Sequence, residues 1–225
     1  IVDGSNAAIP ALQSSDPFRS QFLQTALTTR IDDLVRGITE TAQHIKLVLN
    51  FFVVTQDPRV ITWWETYIRD QLLQNLNQRT NVLHTCFTLV RAPHGPQAQP
   101  GLYEDQLMVD ISNTLVGVLE VSDHWSGRVV LMTADGNDRT GDVQFVPGVN
   151  GPAEDFPTHI QRVNREFIAR RRAAGLETYN PVWHVSPAPL CRTSNRHKWG
   201  NALTYGVGGR ENVSCPMHQW PMELD

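Results

Sequence analysis

The 225-residue chain contains no uninterrupted apolar run near the ~20 residues needed to span a bilayer as a helix, which excludes a helical membrane anchor of ordinary length. Its strongest run, Leu47 to Val54, has the length of a buried strand. Cysteine is scarce. Cys86, Cys191 and Cys215 cannot all pair with one another, so the odd count fits a reducing compartment, cytoplasmic or nuclear, better than a disulfide framework. Internal repeats, low-complexity tracts and a secretory signal are also missing, and the Asn212-Val213-Ser214 glycosylation match reads as chance. The chain starts on a core-like strand without an initiator Met, which reads as a domain taken from something longer.

Charge of either sign is modest overall, with a net of −4, but it is unevenly placed. Arg165, Arg170, Arg171 and Arg172 crowd one segment, while acids gather around Glu104 and Asp135. An acidic centre with basic flanks suits an enzyme that binds a metal and acts on a polyanion, whereas a plain solvated helix face would also account for the arginines. With 40% hydrophobic residues the chain can bury one full core.

Helix starts are marked by an acid before a proline, where the acid supplies a capping oxygen and the proline arrives already at helical φ. Asp16-Pro17, Asp57-Pro58 and Asp155-Phe156-Pro157 carry this mark. The first helix is expected to run to about residue 42 with Phe18, Phe22, Ile31, Leu34, Val35 and Ile38 inward, and the second to bury Ile61, Trp64, Ile68, Leu72 and Leu76. One of the consecutive Trp63 and Trp64 is expected to face away from the core. Strands are expected at the start, over 44–54, 82–90, 128–133 and 182–186. Further helices follow from Tyr103 and from Phe156 to Ala174, the last ended by Gly175. Residues 92–101 and 136–152 read as loops. Strict alternation of about five strands with helices predicts an α/β, three-layer sandwich with a central parallel sheet and helices on both faces. Residues 187–225 read as an irregular extension packed on a domain of residues 1–186.

Three strand-to-helix junctions hold acids: Asp3 with Asn6, the Glu104-Asp105 pair, and Asp135 with Asp138. For a single Asp before glycine a turn role is the commoner explanation. Three such junctions on one sheet edge are different, because gathered carboxylates repel unless a cation neutralises them, and all-oxygen donors favour Mg²⁺ or Mn²⁺.

The segments Asp3-Gly4-Ser5-Asn6-Ala7-Ala8, Tyr103-Glu104-Asp105-Gln106-Leu107-Met108-Val109 and Thr133-Ala134-Asp135-Gly136-Asn137-Asp138 resemble the three motifs of PIN-like NYN ribonuclease domains, in particular the Regnase-like group. The likeness extends over residues 1 to about 186. It implies a PIN-like fold and metal-dependent endonucleolytic cleavage of single-stranded RNA. The metal would be held by Asp3, Asp105 and Asp135, with Glu104 and Asp138 completing the catalytic acids and Asn6 as a site residue. The middle motif has Glu104 where the family usually has Asp, and the third motif's second acid falls at Asp138, with Asp142 in reserve. Arg139, Arg170 and Arg171 are candidate phosphate contacts.

Other constellations compete. Cys191, His197, Cys215 and His218 have zinc ligand types, against which stand separate buried thiols and surface imidazoles. Asp3-Gly-Ser-Asn also resembles the first block of SGNH-type esterases, with Ser5 as nucleophile and His197 as base. A PIN-like module that only binds RNA or a protein partner is the third reading.

Overall fold

In the computed structural model the described residues are 1–13, 15, 17–41, 46–92, 102–122, 127–133 and 156–185. The order is β1 (Val2–Asp3), α1 (Gly4–Leu12), α2 (Pro17–Thr41), β2 (Leu47–Thr55), α3 (Pro58–Trp63), a π-helical stretch (Trp64–Arg69), α4 (Asp70–Asn77), β3 (Val82–Arg91), α5 (Leu102–Val121), β4 (Val129–Met132), α6 (Phe156–Ala173) and β5 (Val182–Val185). All neighbouring strands pair in parallel, in the order β3-β2-β1-β4-β5. The expected α/β architecture is therefore present, a five-stranded parallel sheet between two helical layers.

The alternation of side chains along each strand divides the core in two. Val2 and Val53 point to the layer containing Leu27, Ile31, Val60, Trp64, Ile68, Leu72 and Leu76 from α1 to α4. Ile1, Val54, Leu131 and Val182 point to the other layer, with Met108, Val109 and Val116 of α5 and Ile160, Val163 and Phe167 of α6. Burying apolar side chains on both faces drives this arrangement and explains why the β2 sequence reads as a nearly continuous apolar run. Asp57 caps α3 as expected, its Oδ1 accepting from the Arg59 backbone N–H at 2.9 Å with Pro58 next in the chain. Gly175 ends α6 at φ +71°, and Leu176 N–H returns to Arg171 O at 2.9 Å.

Three details depart from the sequence expectations. α1 begins immediately after Asp3, where Gly-Ser-Asn suggested a turn, so two helices and not one connect β1 to β2. Phe18 is 82% exposed, and the described buried residues of α2 that join the core are Leu27, Ile31, Leu34 and Val35. Trp63 and Trp64 are both buried, edge to face with ring centroids 5.7 Å apart. Both have ordinary α-helical dihedrals at the point where α3 passes into the π-helical stretch, so two neighbouring positions of one helix are covered at once. Residues 187–225, the expected loop over 92–101 apart from Ala92, and the expected loop over 136–152 lie outside the described residues.

Candidate functional site

The chain steps outward from β1 to β2 and β3, then returns to place β4 on the other side of β1. The carboxyl ends of β1 and β4 thus flank a topological switch point, the place where ligands collect in open parallel sheets. Asp3 ends β1 there. Alternation puts its side chain on the Ile1 side of the sheet, the side covered by α5, and it is only 2% exposed. Across the switch point Thr133, fully buried at the end of β4, donates its hydroxyl to Asp3 Oδ2 at 3.1 Å.

The acid pair in the first turn of α5 belongs to the same edge. Glu104 is 5% exposed and Asp105 2%. Glu104 Oε1 accepts from Ser5 Oγ at 2.7 Å and from the backbone N–H of Gln56 just beyond β2. Ser5 Oγ also lies 2.9 Å from Thr55 Oγ1, the last residue of β2, and Thr55 Oγ1 accepts from Asp57 N–H at 3.1 Å. One carboxylate therefore joins α5, α1 and the β2–α3 turn. Charged acceptors strengthen such bonds, which offsets the cost of burying the carboxylate.

Gly4 makes this convergence sterically feasible. A Cβ built there would lie 2.9 Å from both Val53 Cγ1 and Val54 O, so the first turn of α1 can sit against β2 only without a side chain. The carbonyl of Gly4 accepts from Trp64 Nε1 at 3.2 Å, anchoring that turn to the helix that follows β2 in the same layer.

Of the expected site residues, Asp3, Glu104 and Asp105 are buried at the same edge of the sheet. Asn6 lies in the first turn of α1, and its side chain is outside the described residues, as are Asp135, Asp138, Asp142 and Arg139. The Cys191, His197, Cys215 and His218 set is also outside them. Arg170 and Arg171 stand elsewhere. α6 runs back toward the amino ends of the strands, where Arg171, 4% exposed, donates to Leu119 O at 2.9 Å, Ser122 O at 2.7 Å and Glu177 O at 2.6 Å. It locks α6 to the end of α5 and presents no free guanidinium to a substrate. Arg170 pairs with Glu120 at 2.6 Å on the same remote edge. The charge run thus divides into a buried clamp and a surface pair, and neither adjoins the acids.

Sequence reading alone missed the contacts of Ser5, Thr55 and Thr133. Their positions at or near strand ends were visible, but which hydroxyl reaches which acid depends on strand order. Among the described residues no group of three His, Cys, Asp or Glu side chains is gathered closely enough to hold a metal ion. The donor chemistry of Asp3 and Asp105, oxygen only and buried, nonetheless fits a hard divalent cation, and a full ligand set would draw on Asp135. No helix among the described residues is long and apolar enough to cross a membrane. No protein-family model matches the chain, and neither a curated protein nor a solved structure matches it.

Proposed function

We propose that the chain is a PIN-like NYN endoribonuclease that hydrolyses phosphodiester bonds of single-stranded RNA with Mg²⁺ or Mn²⁺ as cofactor, in a reducing, intracellular compartment. The observation that carries this reading is the burial of Asp3, Glu104 and Asp105 at the carboxyl edge beside the β1/β4 switch point. Buried carboxylates are costly unless paired, hydrogen-bonded or coordinated, and an acidic edge repels phosphate unless a cation is present.

Asp3, Asp105 and Asp135 would hold the ion. When bound, a divalent ion makes water more acidic and offsets the charge of the scissile phosphate. The chain's own groups do the positioning. Thr133 orients Asp3 through Oδ2, and Ser5 and the Gln56 N–H fix Glu104, so the acid pair of α5 keeps one position relative to β1. Asn6 and Arg139 are the proposed RNA contacts, with Asp138 proposed to position the attacking water. Arg170 and Arg171 drop out of this role because they sit on the opposite edge of the sheet.

A second reading draws support from Glu104. Its Oε1 is committed to Ser5 and Gln56, which suits a fold-maintaining carboxylate and hence a PIN-like module that binds RNA or a protein partner without cutting. The esterase reading needs Ser5 as a nucleophile, yet its hydroxyl is donated to a carboxylate and its proposed base His197 is outside the described residues.

Asp135→Asn separates the first two readings, since it keeps the shape and deletes a charged ligand. Hydrolysis predicts RNA binding at least as tight as the parent's with product formation gone. A pure binder predicts no cleavage in either protein and binding indifferent to chelator. Retained cleavage in Asp135→Asn contradicts the metal mechanism.

A further inference from the structure

β5 is the outermost strand, yet it delivers one deeply buried polar group to the edge of the acid site. His184 is 2% exposed and lies on the same sheet face as Val182, facing the α5–α6 layer. Its Nε2 is 3.2 Å from the carbonyl oxygen of Thr133. A carbonyl can only accept, so this nitrogen carries the proton and donates. Thr133 follows the last described pair of β4 and β5, Met132 with Val185, and its carbonyl oxygen faces the His184 ring at that end of the described ladder. The same residue sends its hydroxyl to Asp3 Oδ2 at 3.1 Å. Three strands are thus crossed by one line of contacts, His184 to the Thr133 main chain and the Thr133 side chain to Asp3, with every member buried.

Packing alone does not call for imidazole here. An aliphatic side chain would fill an edge-strand position against α5 and α6 without the cost of desolvating a ring N–H. The contact explains the residue: it fixes the Thr133 peptide plane and with it the direction of the hydroxyl that orients Asp3. We infer that His184 is a positioning residue for the Asp3 carboxylate, acting through Thr133 and touching neither substrate nor metal. The inference rests on the nuclease reading for its consequence, which is tighter cation binding by a carboxylate held in one orientation. Groups behind a metal ligand commonly alter affinity by roughly 10- to 100-fold.

The test uses the full chain with Mn²⁺ alone as the probe, titrated by calorimetry, after circular dichroism has shown that each variant is folded. His184→Leu is expected to weaken Mn²⁺ binding by about 10-fold, and His184→Gln, whose amide reaches the position of Nε2, to remain within about 3-fold of the parent. Thr133→Val should weaken binding as much as His184→Leu, and the double variant no further, because both changes interrupt one path. If His184→Leu does not fold, His184→Asn replaces it: its shorter amide cannot reach the carbonyl and should weaken binding where His184→Gln does not. Parent-like binding in a folded His184→Leu or His184→Asn overturns the inference. So does equal weakening by Gln, or a double variant whose losses multiply. A parent that binds no Mn²⁺ would instead reject the nuclease reading. The positioning claim is then decided by the carboxyl ¹³C resonance of Asp3 in metal-free protein, which must move in His184→Leu and Thr133→Val but not in His184→Gln; an unmoved resonance overturns it.

Discussion

Ser5 donates its hydroxyl to Glu104 at 2.7 Å across 99 positions of sequence, tying the first turn of α1 to the first turn of α5. The bond spans the carboxyl edge of the sheet and shares its acceptor with the Gln56 N–H, so three segments meet on one carboxylate oxygen. Ser5→Ala should lower the unfolding free energy by about 1–2 kcal/mol, the usual cost of removing a partly buried donor to a charged acceptor. Urea unfolding measures it. A loss within about 0.5 kcal/mol would mean that water replaces the hydroxyl and that the network does not hold the edge together.

Gly4 is the steric counterpart of that bond. Gly4→Ala inserts a Cβ at 2.9 Å from the Val53 side chain and the Val54 carbonyl, and the backbone partner cannot yield as a flexible side chain would. Overpacking of this kind costs about 1–3 kcal/mol, and the Trp64 contact to the Gly4 carbonyl should loosen with it. Thermal unfolding together with tryptophan fluorescence reads both effects. An unchanged midpoint would show that α1 can move off β2 at little cost.

Much of this fold was legible in the sequence, because its strongest signals are local. The apolar run of β2, the acid-proline start of α3 and the glycine end of α6 each follow from a few neighbouring residues. Asp3 and the Glu104-Asp105 pair could be placed on one edge from alternation alone. The rest needed distances in space. Gly-Ser-Asn carries turn propensity, yet α1 begins there because Gly4 fits against β2 and Trp64 holds its carbonyl. Helical periodicity placed Phe18 inward where it is 82% exposed, and it separated two tryptophans that are both buried. The arginine run misled for a related reason, since sequence shows charge but not that Arg171 is enclosed by three carbonyls.

Arg171 therefore carries a prediction opposite to that of a substrate contact. Arg171→Met keeps the aliphatic stem and removes the donors to Leu119, Ser122 and Glu177, which should cost about 3 kcal/mol or more because buried carbonyls are left unpaired. The affinity of the folded fraction for RNA should not change. Replacing the exposed Arg165 and Arg172 with Gln should leave stability within about 0.5 kcal/mol. Filter binding alongside urea unfolding separates the two, and an Arg171→Met protein of parent stability with weakened RNA binding would restore the substrate role.

The central claim is that the buried acids at the β1/β4 edge serve a divalent cation that cuts RNA, and Asp3 is the described residue on which it depends most. The decisive measurement is cleavage of an end-labelled single-stranded RNA by the parent with Mn²⁺, by the parent with excess chelator, and by a folded Asp3→Asn variant. The account predicts internal cuts in the first reaction and none in the second, with a rate at least about 100-fold lower in the third, since a catalytic metal contributes several kcal/mol of transition-state stabilisation. Cleavage at the parent rate by the chelated protein or by Asp3→Asn would contradict it.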